Sequence, residues 1–281
     1  MNINWYPGHM KKATRMMEEN LRLVDAVVEL RDARIPESSR NPDVARLIGN
    51  KPRLIVLNRA DQADGEITPI WRDTLTSDGT IALEMDCRSG RGVNAFPKAA
   101  RTLLQDLIRR SEEKGKVGRA LRFMVLGIPN VGKSSFINRL AGRKAAETSD
   151  RPGVTRGKQW ISLPNGILLL DTPGILWPKL DSDEVGLHLA WTGAIRDDIL
   201  DMELVASKLL ERLRELYPQA VESRYKFTPA PAVPGYELLE MAGRKRGFLV
   251  SGGEINTERM AHVLLDEFRE GKLGRMTLER P

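Results

Sequence analysis

Gly127-Ile128-Pro129-Asn130-Val131-Gly132-Lys133-Ser134 is the stretch from which the rest of the chain can be read. It fits G-x-x-x-x-G-K-[ST], with an apolar run, Leu121 to Leu126, leading in and a helix-period segment, Lys133 to Ala141, leading out. A glycine-rich turn between strand and helix lets successive backbone N–H groups curl round a phosphate chain without steric cost. The helix N-terminus adds the positive end of its dipole. On this pattern Lys133 reaches the β- and γ-phosphates and the Ser134 hydroxyl ligates Mg²⁺. Asn130, Val131, Gly132 and Ser135 complete the expected phosphate-contacting set.

Upstream of this loop, short apolar runs alternate with helix-period segments. Val24 to Leu30, Leu54 to Leu57 and Ile81 to Met85 read as buried strands, as does Ile167 to Leu170 downstream. Val93 to Arg110 reads as a helix. Such alternation predicts an α/β domain with a largely parallel sheet covered on both faces.

The phosphate loop alone leaves ATP and GTP open; Asn58-Arg59-Ala60-Asp61 separates them. It directly follows the run Leu54 to Leu57, where a base-reading loop should emerge. The Asp61 carboxylate can accept from guanine's ring N–H and its exocyclic amine. Adenine offers an acceptor at the first position and no donor at the second, so it would leave the carboxylate unpaired. Arg59 stands where lysine is more usual, and its stem can still cover the face of the base. Met85-Asp86-Cys87-Arg88-Ser89-Gly90 occupies the slot of a second base-contacting loop, with Cys87 where serine is commoner. A small buried filler describes that cysteine better than a redox group.

Two elements belong to the γ-phosphate. Asp171-Thr172-Pro173-Gly174 follows the run Ile167 to Leu170, which sets an Asp beside the metal and the Gly174 amide near the phosphate. Arg151-Pro152-Gly153-Val154-Thr155 lies in a polar loop, and Thr155 can complete the Mg²⁺ shell. A phosphate loop followed by these two elements is what a GTPase switch requires. Ile175 occupies the position where many such switches hold a water-orienting Gln, so intrinsic turnover is expected to be slow. In the familiar small GTPase the phosphate loop comes first and the guanine loop last. Here the guanine loop comes first, so the fold expected is a P-loop GTPase with circularly permuted motif order.

After Trp177-Pro178 the pattern changes. Val205, Leu209, Leu213 and Leu216 share one helical face; Met260, Val263, Leu264 and Phe268 share another. This predicts a GTPase domain over 1–178 and a smaller all-helical C-terminal domain over 179–281. Charge divides the same way: Lys and Arg outnumber Asp and Glu by 30 to 21 up to residue 181, and trail by 14 to 17 beyond it. The excess basicity points to a polyanionic partner such as RNA. Arg101, Arg109, Arg110, Lys114, Lys116 and Arg119 form one basic stretch, and Arg244-Lys245-Arg246 another. A single cysteine excludes an internal disulfide and a cysteine-rich metal site. No apolar run is long enough to span a bilayer and the N-terminus lacks a secretory pattern, so a cytoplasmic protein is expected.

Several segments resemble the bacterial YlqF/RbgA ribosome biogenesis GTPases. They are Trp5-Tyr6-Pro7-Gly8-His9-Met10, Asp32-Ala33-Arg34-Ile35-Pro36, Ser38-Ser39-Arg40-Asn41-Pro42, the phosphate loop, and Asp171 to Lys179. The resemblance implies GTP hydrolysis in late maturation of the large ribosomal subunit. It also implies a GTP-bound state that holds the particle, release on hydrolysis, and a helical domain that contacts ribosomal RNA. Off the ribosome a monomer is expected. The family likeness points to His9 as the group that replaces the missing Gln, and likeness to related switch proteins points to Asn130 as a ligand for K⁺. Two other classes stay open at this point, a GTP-gated regulator of a protein partner without RNA binding and an ATP-dependent enzyme. Nucleotide competition and binding to ribosomal particles separate them.

Overall fold

The structure, a computed structural model, describes residues 15–146, 159–174, 176, 180 and 182–281. His9, Thr155, Ile175 and 177–179 lie outside the described residues. The chain divides into two compact units: 2–180 together with 279–281, and 181–278.

The first unit is built on six strands: β1 (Ala26–Asp32), β2 (Arg53–Asn58), β3 (Thr80–Glu84), β4 (Leu121–Gly127), β5 (Gln159–Ser162) and β6 (Ile167–Asp171). They lie in the order β3-β2-β1-β4-β6-β5. All neighbours are parallel except β5, which runs antiparallel to β6 at the edge. The sheet is therefore largely parallel, as the alternation predicts. β5 was not legible in the sequence: Gln159-Trp160-Ile161-Ser162 is short, and only Ile161 is buried.

The topology places the ligand crevice. From β1 the chain steps outward to β2 and β3, then returns to the other side of β1 with β4. Ligands of open α/β sheets bind outside the carboxyl ends of strands where the winding reverses. The β1/β4 boundary is that point, with the phosphate loop at the end of β4 and Asn58 at the end of β2. The half of the sheet carrying the base loops comes first in the chain and the half carrying the phosphate loop second.

β1 is buried along its whole length, yet it carries Glu29 and Arg31 on one face. They are tolerated because they pair: Arg31 Nε donates to Glu29 Oε1 at 3.0 Å, and Arg53 Nη1 to Oε2 at 3.2 Å. Helices flank the sheet: α1 (Pro42–Ile48), α2 (Ile67–Leu75), α3 (Phe96–Leu103), α4 (Gln105–Glu113) and α5 (Lys133–Ala141). The helix expected over 93–110 is in fact a 3₁₀ turn, Val93–Ala95, then α3 and α4, broken where Leu104 leaves helical geometry (φ −107°, ψ 20°) with its side chain buried. Phe96 on α3 meets Phe123 on β4 and Phe136 on α5 edge-on, with ring centres 6.0 and 5.3 Å apart, bracing the helix that leaves the phosphate loop. The last residues belong to this unit too. The N–H groups of Glu37 and Ser38 donate to the Glu279 carboxylate at 2.6 and 2.9 Å, and the Trp71 indole to the Glu279 carbonyl at 3.3 Å.

The second unit is helical: α6 (Asp183–Trp191), α7 (Met202–Leu216), α8 (Pro218–Tyr225), α9 (Gly235–Lys245) and α10 (Thr257–Arg269). Ser182, Asp201 and Asn256 cap α6, α7 and α10 through their side-chain oxygens. Val205, Leu209 and Leu213 of α7 and Met260, Leu264 and Phe268 of α10 are buried. Among them sits a carboxylate, Glu267, which accepts from Arg224 Nε at 3.0 Å, Tyr225 Oη at 2.8 Å and Arg246 Nη2 at 3.2 Å.

Candidate nucleotide site

The phosphate loop runs from Gly127 to Ser134, with Asn130 and Gly132 in left-handed backbone (φ 58° and 99°). Gly132 is needed for space as well as for φ: a Cβ there would lie 2.4 Å from Asn58 Nδ2. That contact is the centre of the site. Asn58 Nδ2 donates to the Val131 carbonyl at 2.8 Å, while Asn58 Oδ1 accepts from the Cys87 N–H at 3.2 Å. One buried side chain thus ties the phosphate loop to both base-side loops.

Arg59, also left-handed at φ 60°, lies alongside the phosphate loop and donates from Nη2 to the Asn130 carbonyl at 3.0 Å. Asp32 steadies it. Its carboxylate takes a two-pronged bond from Arg34 at 2.9 and 2.8 Å, with Arg59 Nε 3.7 Å from Oδ2. Burial works against the Asp32 charge, but Arg34 and Arg59 outweigh it and hold the carboxyl below its usual range. The Ala33 N–H donates to the Asn58 carbonyl at 2.9 Å. The Asp32-Ala33-Arg34 segment is therefore the brace that aims the base loop. Asp61 follows one turn on and is half-buried.

Cys87 is buried, and burial together with the neighbouring Asp86 and Asp61 charges pushes its thiol up to about 12. It is an inert filler whose main chain does the work.

On the phosphate side, Lys133 begins α5 and is buried, its Nζ 3.5 Å from the Gly127 carbonyl. Burial pushes its ammonium down to about 8, against the pull of Asp171. Asp171 ends β6; burial raises its carboxyl, with Lys133 opposing, and Oδ1 is buried without a hydrogen-bond partner. The Thr172 hydroxyl donates to the Val125 carbonyl at 2.6 Å, fixing this turn to β4. Gly174 packs so closely that a Cβ would meet Lys133 Nζ at 2.8 Å and the Pro129 backbone at 3.0 Å. Ser134 is half-buried in the first turn of α5 and Ser135 is exposed. The structure thus draws Asn58, Arg59, Cys87, Asn130, Val131, Gly132, Lys133, Asp171 and Gly174 together at the carboxyl ends of β2, β4 and β6.

The basic stretch before β4 is less free than its composition suggests. Arg101 donates to the Asn165 carbonyl, Arg109 pairs with Asp106 and Arg119 with Asp25. Arg110, Lys114 and Lys116 are exposed. In the helical unit Arg244 and Lys245 are exposed, while Arg246 is spent on Glu267.

A phosphate loop on a central strand, a base loop two strands away and a reversed chain order define a circularly permuted P-loop GTPase. Comparison with known proteins agrees. A family model described as a 50S ribosome-binding GTPase matches residues 122–224, beginning at the phosphate-loop strand and leaving Asn58 upstream of the match. Ribosome biogenesis GTPase A of Priestia megaterium is 46% identical over 282 residues, covering 100% of this chain and 98% of that protein. The Thermotoga maritima protein of the same name is 34% identical over 99% of this chain and 95% of its own length. The crystal structure of GNP-bound YlqF from T. maritima superposes with a TM-score of 0.66 at 29% identity, covering 96% of this chain and 98% of that one. The chain belongs to the ribosome biogenesis GTPase A family, and is a GTP-hydrolysing factor of ribosome assembly.

Proposed function

We propose that this chain binds GTP with its guanine on Asp61, its base flanked by Arg59 and the Cys87 loop, and its phosphates on Asn130, Val131, Gly132, Lys133, Ser134, Ser135 and Gly174. The observation that carries this reading is the Asn58 side chain, which joins the base loops to the phosphate loop at 2.8 and 3.2 Å. A ligand spanning both would be held by parts already locked together.

The residues fit a magnesium ion. Asp171 Oδ1 is buried and unpartnered. The described residues gather no cluster of three or more His, Cys, Asp or Glu. One carboxylate with the Ser134 and Thr155 hydroxyls, completed by phosphates and water, suits a hard cation that keeps few protein ligands. When bound, it would neutralise charge on the β- and γ-phosphate oxygens. Lys133 would meet the same charge, and Gly174 packs against it, a Cβ there falling 2.8 Å from Lys133 Nζ. Asn130 offers a neutral amide oxygen, a donor suited to K⁺, and faster hydrolysis in potassium than in sodium buffer is expected.

The target is the large ribosomal subunit and its RNA, engaged in the cytoplasm in the GTP state and released after hydrolysis. The helical unit is the RNA-contacting part, and the protein is a monomer when free. Among the described residues no helix is long and apolar enough to cross a membrane. His9 orients the attacking water once the particle is bound.

The test is GTP turnover with and without large ribosomal subunits, wild type beside His9→Ala. Stimulation by the particle that is lost in His9→Ala, with GTP affinity kept, is the expected result. No stimulation of the wild type would sink the large-subunit reading, and full stimulation of the variant would remove His9 from the mechanism.

A further inference from the structure

Arg139 lies six residues beyond Lys133 in the last turn of α5, a helix end where a solvated cation is commonplace. Its guanidinium is instead spent on the base-side loop. Nε donates to the Cys87 carbonyl at 3.1 Å and Nη2 donates to the Arg88 carbonyl. A Cβ on Gly90 would touch the Arg139 side chain at 3.5 Å, so the loop lies flat along the arginine.

The other faces of the same two peptide units are held by Asp86. Its Oδ1 accepts from the Arg88 N–H at 2.8 Å and the Ser89 N–H at 3.2 Å. The peptides 87–88 and 88–89 therefore have both carbonyls on a cation and both N–H groups on an anion. The peptide before them is fixed as well, through the Cys87 N–H on Asn58. Asp86 is further held by its main chain, donating its N–H to the Arg91 carbonyl and accepting from the Gly90 N–H at 2.9 and 2.8 Å. Charge-assisted bonds of this kind are the stronger ones, and Arg's planar fork suits two adjacent acceptors. Since Asn58 joins this loop to the phosphate loop from one side, Arg139 joins it to the helix leaving that loop from the other.

We infer that Arg139 is a positioning residue for base recognition: with Asp86 as its counterpart it fixes the 86–91 loop against α5, and so sets guanine affinity and the preference for guanine over adenine. The inference rests on the nucleotide site proposed above. Arg139 need not touch nucleotide; it orders in advance a loop that would otherwise be ordered at the expense of binding.

The test compares Arg139→Ala and Arg139→Lys with wild type, by fluorescent GDP binding and dissociation, ATP competition and steady-state hydrolysis. Arg139→Ala is expected to weaken GDP and GTP roughly 5–20-fold, mainly through faster release, and to raise KM with kcat nearly kept. Weak ATP binding through the phosphate loop should stay within about two-fold, so that the GTP-over-ATP preference narrows. Lysine, with one compact donor group, should restore part of the loss. GDP affinity unchanged in a folded Arg139→Ala protein would overturn the inference. So would equal losses for GTP and ATP accompanied by a lower kcat, which would mean that α5 itself had been damaged. A wild type that holds ATP as well as GTP would fault the reading of Asn58 to Asp61 instead, whatever the variants do.

Discussion

Asp171 and Glu267 are both buried carboxylates, one in each unit, and they are opposites. Glu267 in the helical unit is surrounded by donors from Arg224, Tyr225 and Arg246. Burial opposes its charge, but Arg224 and Tyr225 prevail and hold its carboxyl below the usual range. Asp171 has one oxygen without a partner, and burial wins, raising its carboxyl. A buried charge with all its bonds made contributes to structure, whereas one left short costs stability until something completes it. The comparison therefore separates a carboxylate whose bonds are complete within its unit from one that the proposed magnesium ion would complete.

The sharpest way to break that contrast is Asp171→Asn. Hydrolysis should fall by about 10²–10³-fold, on the order of 3–4 kcal/mol, the scale of losing one preorganised electrostatic contributor. The ligand-free protein should melt at the same temperature or higher, because the incompletely solvated charge is gone. A large loss of ligand-free stability would show that Asp171 is structural after all. Next in size is the base side. Asp61→Asn removes the carboxylate proposed to accept two guanine donors, and GDP should bind about 100-fold more weakly, about 3 kcal/mol. ATP binding should barely move, and titration of the variant with both nucleotides reads the two effects together.

How far these sites were legible in the sequence follows the same division. The groups proposed to hold or frame the ligand stand in short motifs: Lys133 and Gly132 in the glycine spacing, Asn58 and Asp61 just after a strand, Asp171 in the turn after another. The helical faces of Val205 to Leu213 and Met260 to Phe268 were equally plain, because a period of 3.6 repeats within one helix. What escaped were pairings across the fold. Nothing local marks Arg139 as the partner of the Cys87 and Arg88 carbonyls, 52 and 51 positions away. Glu29 and Arg31 inside a buried strand make sense only once Arg53 arrives from the neighbouring one. Glu279 belongs to the nucleotide unit because two backbone N–H groups more than 240 positions earlier donate to its carboxylate. The Asp32-Ala33-Arg34 segment shows itself in the sequence only as a family likeness; its task of steadying Arg59 is a matter of geometry.

Gly132→Ala probes the junction between the two sides of the site. The new methyl would stand 2.4 Å from Asn58 Nδ2 in a backbone with φ 99°, so the Asn58 bond to Val131 and the loop cannot both persist. Stability should drop by about 1–3 kcal/mol, and nucleotide affinity with it. An alanine variant that keeps wild-type affinity would show that the Asn58 tie is dispensable.

The smallest effect tests the other member of the opening pair. Glu267→Gln keeps the shape but turns one acceptor into a donor that faces two arginines. The loss should be about 1–2 kcal/mol at neutral pH, limited because Arg224 and Arg246 are each about one-third exposed and partly screened. Its pH dependence has a definite sign. A carboxyl held below its unfolded value of 4.5 binds fewer protons when folded, so its stabilisation is complete above that value. It drains away as pH falls through the folded value, once both states are protonated. Thermal unfolding followed by helical circular dichroism should therefore show wild type and variant well separated at neutral pH and converging in acid. Curves that stay apart by the same margin in acid would mean that packing around Glu267, and not its charge, supplies the stability.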